Sequence, residues 1–122
     1  MAHLSINVLG GLSVSKRDEI ISSFESDKVR ALLAYLVVEV GRTHRRGTLA
    51  GLLWPDCSEQ TAHHNLSQVL FNLRKVLGDH SANPPYLQIT RDAIQFNRGS
   101  DYSLDLEQFN TNYSAFEKSQ VQ

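Results

Sequence analysis

Residues 52–77, LLWPDCSEQTAHHNLSQVLFNLRKVL, decide how the chain is read. Leu52, Leu53 and Trp54 close one apolar segment, and Pro55 disfavours a helical conformation at the residue before it. Asp56 or Ser58 then stands where a helix needs an N-cap. Beyond them Leu66, Val69, Leu70, Leu73 and Leu77 recur at steps that keep one face apolar, and Gly78 follows as a stop. The spacing predicts a long amphipathic helix over 59–77. Stepping about 100° per residue from Leu66 turns Thr61, His64, Gln68, Phe71, Asn72 and Lys75 away from that face. Phe71 is the apolar exception among them, and it is expected to pack beneath a neighbouring hairpin or sheet.

Working outward, residues 26–42, SDKVRALLAYLVVEVGR, place Val29, Leu32, Leu33, Leu36 and Val40 at helical spacing, with Ser26 or Asp27 to start the helix and Gly41 to end it. Residues 45–56, RRGTLAGLLWPD, predict a short helix with Leu49, Leu52 and Leu53 inward and Trp54 wedged into the core at its end. Gly47 and Gly51 weaken this helix by up to ~1 kcal/mol each relative to alanine, so it depends on packing. At the N-terminus LSINVL and LSVS alternate apolar and polar residues around Gly10-Gly11, a hairpin signal. Ile20, Ile21 and Phe24 supply a third short strand. Residues 85–99 alternate again, with Leu87 and Ile89 facing Ile94 and Phe96 across Arg91-Asp92. Leu106, Phe109, Tyr113 and Phe116 then predict one more amphipathic helix, whose apolar face suggests the front of a longer protein.

The 122 residues suit one domain, and the content of 41% apolar and 20% charged residues is that of an ordinary globular chain. A single cysteine, Cys57, excludes an internal disulfide framework. No apolar run reaches the ~18–20 residues of a membrane span and no signal peptide is apparent, so a cytoplasmic protein is expected. The net charge of −1 is no electrostatic advertisement for nucleic acid. Its distribution is more informative. Residues 27–77 carry seven Lys and Arg against four Asp and Glu, whereas residues 99–122 carry one against four. A mildly basic middle is masked by an acidic tail.

In order, a sheet, three helices and a β-hairpin make an α+β domain with the plan of a winged helix-turn-helix, whose third helix enters the major groove. Its domain spans residues 1–98, and 99–122 are linker plus the first helix of a following domain. Gln68 and Asn72 have amides able to pair bidentately with adenine, and Thr61 and His64 can donate or accept at base edges. Phe71 is expected to pack beneath the hairpin or the opening sheet in preference to contacting a thymine methyl group. Any amphipathic surface helix shows such residues. Arg45 and Arg46 before it, Arg74 and Lys75 late in it and Arg91 at the hairpin tip supply cations for phosphates around the same helix. Cys57, His63, His64 and His80 have no spacing that suits a tetrahedral metal site, and no residue is indicated to orient a Cys-His nucleophile. Neither an enzyme nor a cofactor is expected.

Three segments, FESDKVRALLAYLVVEVGR, LAGLLWPDCSEQTAHHNLSQVLFNLRKVLG and YLQITRDAIQF, together resemble the DNA-binding domain of SARP-type bacterial transcriptional activators, a branch of the OmpR/PhoB-type winged helices. The resemblance covers residues 4–98. It continues into DYSLDLEQFNTNYSAFEKS, which resembles the start of the bacterial transcriptional activation domain, with Asp105 and Phe109 as its markers. The resemblance implies an N-terminal antiparallel sheet, three helices and a C-terminal wing. It also implies direct-repeat promoter sites bound by a head-to-tail pair of copies on double-stranded DNA. RNA polymerase would meet the turn Trp54, Pro55, Asp56, Ser58 and Glu59. His63, His64, Ser67 and Asn72 fall at positions where such proteins often carry arginine or other polar DNA contacts, and Arg91 falls in the wing. Fewer arginines imply weaker, less salt-dependent binding, and the histidines imply tighter binding on mild acidification. The alternative is a winged helix that has given up DNA and serves as a protein-interaction or regulatory module of a larger signalling protein.

Overall fold

Helix α3, Glu59–Leu77, is the longest element among the described residues, and both of its ends are capped by local chemistry. The Ser58 hydroxyl accepts the Thr61 N–H at 3.2 Å. Gly78 adopts the left-handed conformation (φ 67°), and its N–H returns to the Arg74 and Lys75 carbonyls. Glu59 in the first turn and Arg74 and Lys75 in the last also suit the helix dipole. Ala62, Leu66, Val69, Leu70, Leu73 and Leu77 are buried, as the spacing predicts, with Ala62 an addition.

The computed structural model describes residues 3–22, 24 and 26–107. Ahead of α3 come strands β1 (Leu4–Asn7), β2 (Ser13–Lys16) and β3 (Glu19–Ile20), helix α1 (Asp27–Val38), strand β4 (His44–Arg45) and helix α2 (Arg46–Leu53). After it come a 3-10 turn (Asp79–Ser81) and strands β5 (Leu87–Ile89), β6 (Ala93–Phe96) and β7 (Tyr102–Leu104). The molecule is thus a mixed α+β domain with two sheets, ordered β3-β2-β1-β7 and β4-β6-β5. Leu4, Ile6 and Val14 from the first sheet, Val29, Leu32, Leu33, Leu36 and Val37 from α1, the apolar face of α3, and Ile94 and Phe96 from the second sheet form one core. Among the described residues no helix is long and apolar enough to cross a membrane.

Both expected hairpins form: Leu4 opposes Lys16 and Asn7 opposes Ser13, and in the second Leu87 opposes Phe96 and Ile89 opposes Ile94. Two strands were not anticipated. Strand β4 adds an antiparallel edge to the second hairpin, with His44 opposite Ile94 and Arg45 opposite Ala93. Strand β7 lies parallel to β1, Leu4 opposite Tyr102 and Ile6 opposite Leu104. The segment expected to be linker from residue 99 therefore includes a strand of the first sheet. The Asp105 carboxylate fastens it further, accepting the Val8 and Leu9 N–H groups at 2.9 and 3.0 Å. Residues 105–107 are helical; Phe109, Tyr113 and Phe116 of the helix expected there lie outside the described residues.

Two side chains, Leu52 and Phe71, and one helix end differ from expectation. Leu52 is 52% exposed, because in the two-turn helix α2 the core side is taken by Leu49 and Leu53, one turn apart. Helix α1 stops at Val38, short of Gly41, whose N–H is taken by the Phe96 carbonyl (3.1 Å) as the chain turns to meet the second sheet. Trp54 does pack against the core at the end of α2, though only half-buried, with the Lys28 ammonium 5.7 Å from its ring centre. Phe71 is 61% exposed, since neither sheet covers the outer face of α3.

Candidate functional site

The outer face of α3 carries a continuous line of exposed side chains: Thr61, His64, Gln68, Phe71 and Lys75. Steps of three and four residues keep them in register over about 21 Å of helix. Ser67 is exposed to one side of the line, and Asn72 is half-buried on the other. His63 leans the opposite way, toward α2; a Cβ placed on Gly47 would lie 3.8 Å from its Nε2. The four proposed base-reading residues thus share one face. Thr61 is partly engaged, because its hydroxyl accepts from Ser58 at 2.9 Å.

Strand β4 decides where the cations stand. Its pairing with β6 carries Arg45 and Arg46 to the tip of the β5–β6 hairpin, where the Arg46 N–H donates to the Asp92 carbonyl (2.9 Å) and Arg46 Nε to the Thr90 carbonyl (3.3 Å). Arg91 occupies the same tip and is exposed. Arg45, Arg46 and Arg91 are thereby gathered at one corner, beside the first turn of α2 over which His63 lies. Ion pairs among the described residues join Arg42 to Glu39 and Arg74 to Asp79, leaving this corner and Lys75 without carboxylate partners. Two residues are too few to show alternation, so nothing in the sequence marks β4.

Arg74 stands apart from the other cations. Its Nε donates to the Asp79 carboxylate at 3.2 Å, and Nη2 lies 3.3 Å from His80 Nδ1. The Asp79 side chain is 1% exposed and also accepts the Tyr86 and Leu87 N–H groups at 2.7 and 3.1 Å. One carboxylate ties the end of α3 to the start of β5. Arg74 is consequently a structural partner rather than a free cation. Sequence patterning had missed Asp79, whose position after a helix stop looks like loop.

The turn from Trp54 to Glu59 is built by two backbone bonds, Trp54 N–H to Ala50 (2.9 Å) and Cys57 N–H to Trp54 (3.2 Å). Pro55, Asp56, Cys57, Ser58 and Glu59 are all exposed around it. Among the described residues no group of three or more His, Cys, Asp and Glu side chains is placed to hold a metal ion.

His44, next to the basic corner, is 7% exposed. Its ring meets the edge of Tyr35 at 5.0 Å, and Nε2 has no hydrogen-bond partner. Burial holds its pKa below the usual 6.5, Arg42 adds repulsion and Glu39 opposes both. The unfolded chain therefore takes up a proton that the folded chain refuses. The resulting stabilisation is complete above the unfolded pKa and is lost as the pH falls below it. We expect the urea midpoint to drop between pH 7 and about pH 5.5 in the wild type and to be flatter in His44→Leu. Parallel profiles would assign the acid sensitivity to other groups.

Comparison of the chain with protein-family models, with curated proteins and with solved structures returned no match.

Proposed function

We propose that this chain is the sequence-specific DNA-binding domain of a bacterial transcriptional regulator, a winged helix-turn-helix of the OmpR/PhoB and SARP type. Helix α3 lies in the major groove and the β5–β6 hairpin is the wing. The observation that carries this reading is the exposed line Thr61, His64, Gln68, Phe71 and Lys75 on a helix whose other side is locked into the core, together with Arg45, Arg46 and Arg91 gathered at the β5–β6 tip by the first turn of α2, over which His63 of the same helix lies. Arginines and Lys75 position the duplex through phosphates; Gln68, Asn72, His64 and Thr61 discriminate base edges. His63 and Ser67 take the flanking backbone. Arg74 is left out of the phosphate set because Asp79 holds it.

No cofactor and no chemical step are involved. The exposed turn from Trp54 to Glu59 is the surface offered to RNA polymerase, and a second copy binds head-to-tail on a direct repeat. Such a regulator works in the cytoplasm. The net charge of −1 favours one rival, a winged helix that has become a protein-interaction module.

Selection from random DNA followed by gel-shift at two salt concentrations separates the two. Gln68→Ala or Asn72→Ala is expected to relax preference at particular bases at a cost of about 1–3 kcal/mol. Arg45→Ala should weaken all sequences similarly and lower the salt slope by about one. Absence of any enriched sequence, with equal effects of all three substitutions on specific and random DNA, would overturn direct readout.

A further inference from the structure

We infer that Phe71 is a specificity-determining residue that contacts the C5-methyl group of a thymine in the major groove. This rests on the DNA-binding role of α3 proposed above. Five large apolar side chains among the described residues are strongly exposed, Leu9, Ile20, Val38, Leu52 and Phe71, and Phe71 alone of them belongs to α3. It sits along the exposed line between Gln68 and Lys75, at 61% exposure. The ring lies off the core face of α3, which is filled by Leu66, Val69, Leu70, Leu73 and Leu77.

The ring's surroundings select the partner. Gln68 lies one turn before Phe71, Lys75 one turn after, and Ser67 and Asn72 beside it. A protein-docking patch is contiguous and apolar over a few hundred Å²; a lone ring among amides, a hydroxyl and an ammonium is not. The thymine methyl is the apolar feature of the major-groove floor, and it is small enough for one ring to cover. Glutamine and asparagine amides suit adenine, whose pairing partner is thymine. Three residues of helix advance about 4.5 Å, close to the ~3.4 Å rise of a base pair. Gln68 and Phe71 can therefore address neighbouring A·T pairs, one through the adenine edge and the other through the methyl.

The test replaces each thymine of a selected site, one at a time, by deoxyuridine, which deletes the methyl and keeps every hydrogen-bonding group. For the wild-type chain, one replacement is expected to weaken binding about three- to fivefold, the effect of one apolar carbon returned to water (roughly 0.8 kcal/mol). Phe71→Ala should bind the thymine site more weakly and be indifferent to that replacement, while Gln68→Ala should still sense it. A circular-dichroism melt of Phe71→Ala checks that the exposed substitution leaves the fold intact. Tight, sequence-selective binding that ignores every deoxyuridine, or a methyl effect that survives in Phe71→Ala, overturns the inference and leaves the DNA-binding role standing. Failure to bind any DNA at low salt removes that role and this contact with it.

Discussion

Replacing Asp79 by alanine is expected to destabilise the domain by about 2–5 kcal/mol, mainly from two buried backbone N–H groups left without an acceptor at about 1–3 kcal/mol each. Domains of this size have about 5–15 kcal/mol in total. The loss is large because one side chain meets three demands. It pairs with Arg74 and accepts the Tyr86 and Leu87 N–H groups, both on buried residues. Alanine leaves two buried donors unsatisfied and a half-exposed guanidinium without its counter-charge. Asp79→Asn keeps one acceptor oxygen and should fall between. Urea denaturation with a constant m-value measures the difference. Because the carboxylate joins α3 to β5, hydrogen exchange should also quicken in the β5–β6 hairpin before the helices respond. A loss below about 1 kcal/mol would show that water replaces the carboxylate, since a typical single hydrogen bond contributes that much.

Leu73→Ala is expected to cost about 2–5 kcal/mol, from lost transfer energy and from the cavity left behind. Leu73 is fully buried in the face by which α3 meets the rest of the core. Leu73→Met, nearly equal in volume, should cost less than about 1.5 kcal/mol. The informative comparison is Gln68→Ala on the same helix. Its side chain is exposed, so stability should change by no more than about 0.5 kcal/mol while DNA selectivity changes. A helix whose two faces separate in this way holds the fold with one and presents chemistry with the other. If Gln68→Ala were as destabilising as Leu73→Ala, the polar face would have a packing role and the proposed readout would lose its basis.

Acid is expected to weaken the fold, because His44 loses its buried, neutral state as the pH falls. Binding measured in mildly acidic buffer should therefore be compared at equal folded fraction, or in the His44→Leu background.

Much of the fold was legible because periodicity encodes burial. The steps from Leu66 to Leu77, the stop at Gly78 and the cap at Ser58 define α3 within one or two residues. Alternation in LSINVL and LSVS, and in residues 87–96, locates both hairpins. Short elements escaped for a physical reason. Strands β4 and β7, two and three residues long, exist because a partner strand supplies their hydrogen bonds, not because their own sequence alternates. Leu52 and Phe71 were misplaced for a related reason: a helical wheel says which side chains share a face, and only the neighbouring elements say whether that face is covered.

Taken alone, the sequence determined the order of sheet, helices and hairpin, the register of the α3 face, and the choice of Thr61, His64, Gln68 and Asn72 as one constellation. These are local properties, set by helical geometry and by capping chemistry within a few residues. Tertiary structure decided which charges are free. Arg74 is consumed by Asp79, five residues on and nearly out of solvent, whereas Arg45 and Arg46 reach Arg91 through a strand pairing that joins Arg45 to Ala93 and His44 to Ile94, 48 and 50 positions apart in sequence. Ion pairing and burial depend on what the fold brings into contact, and spacing along a chain does not carry that information.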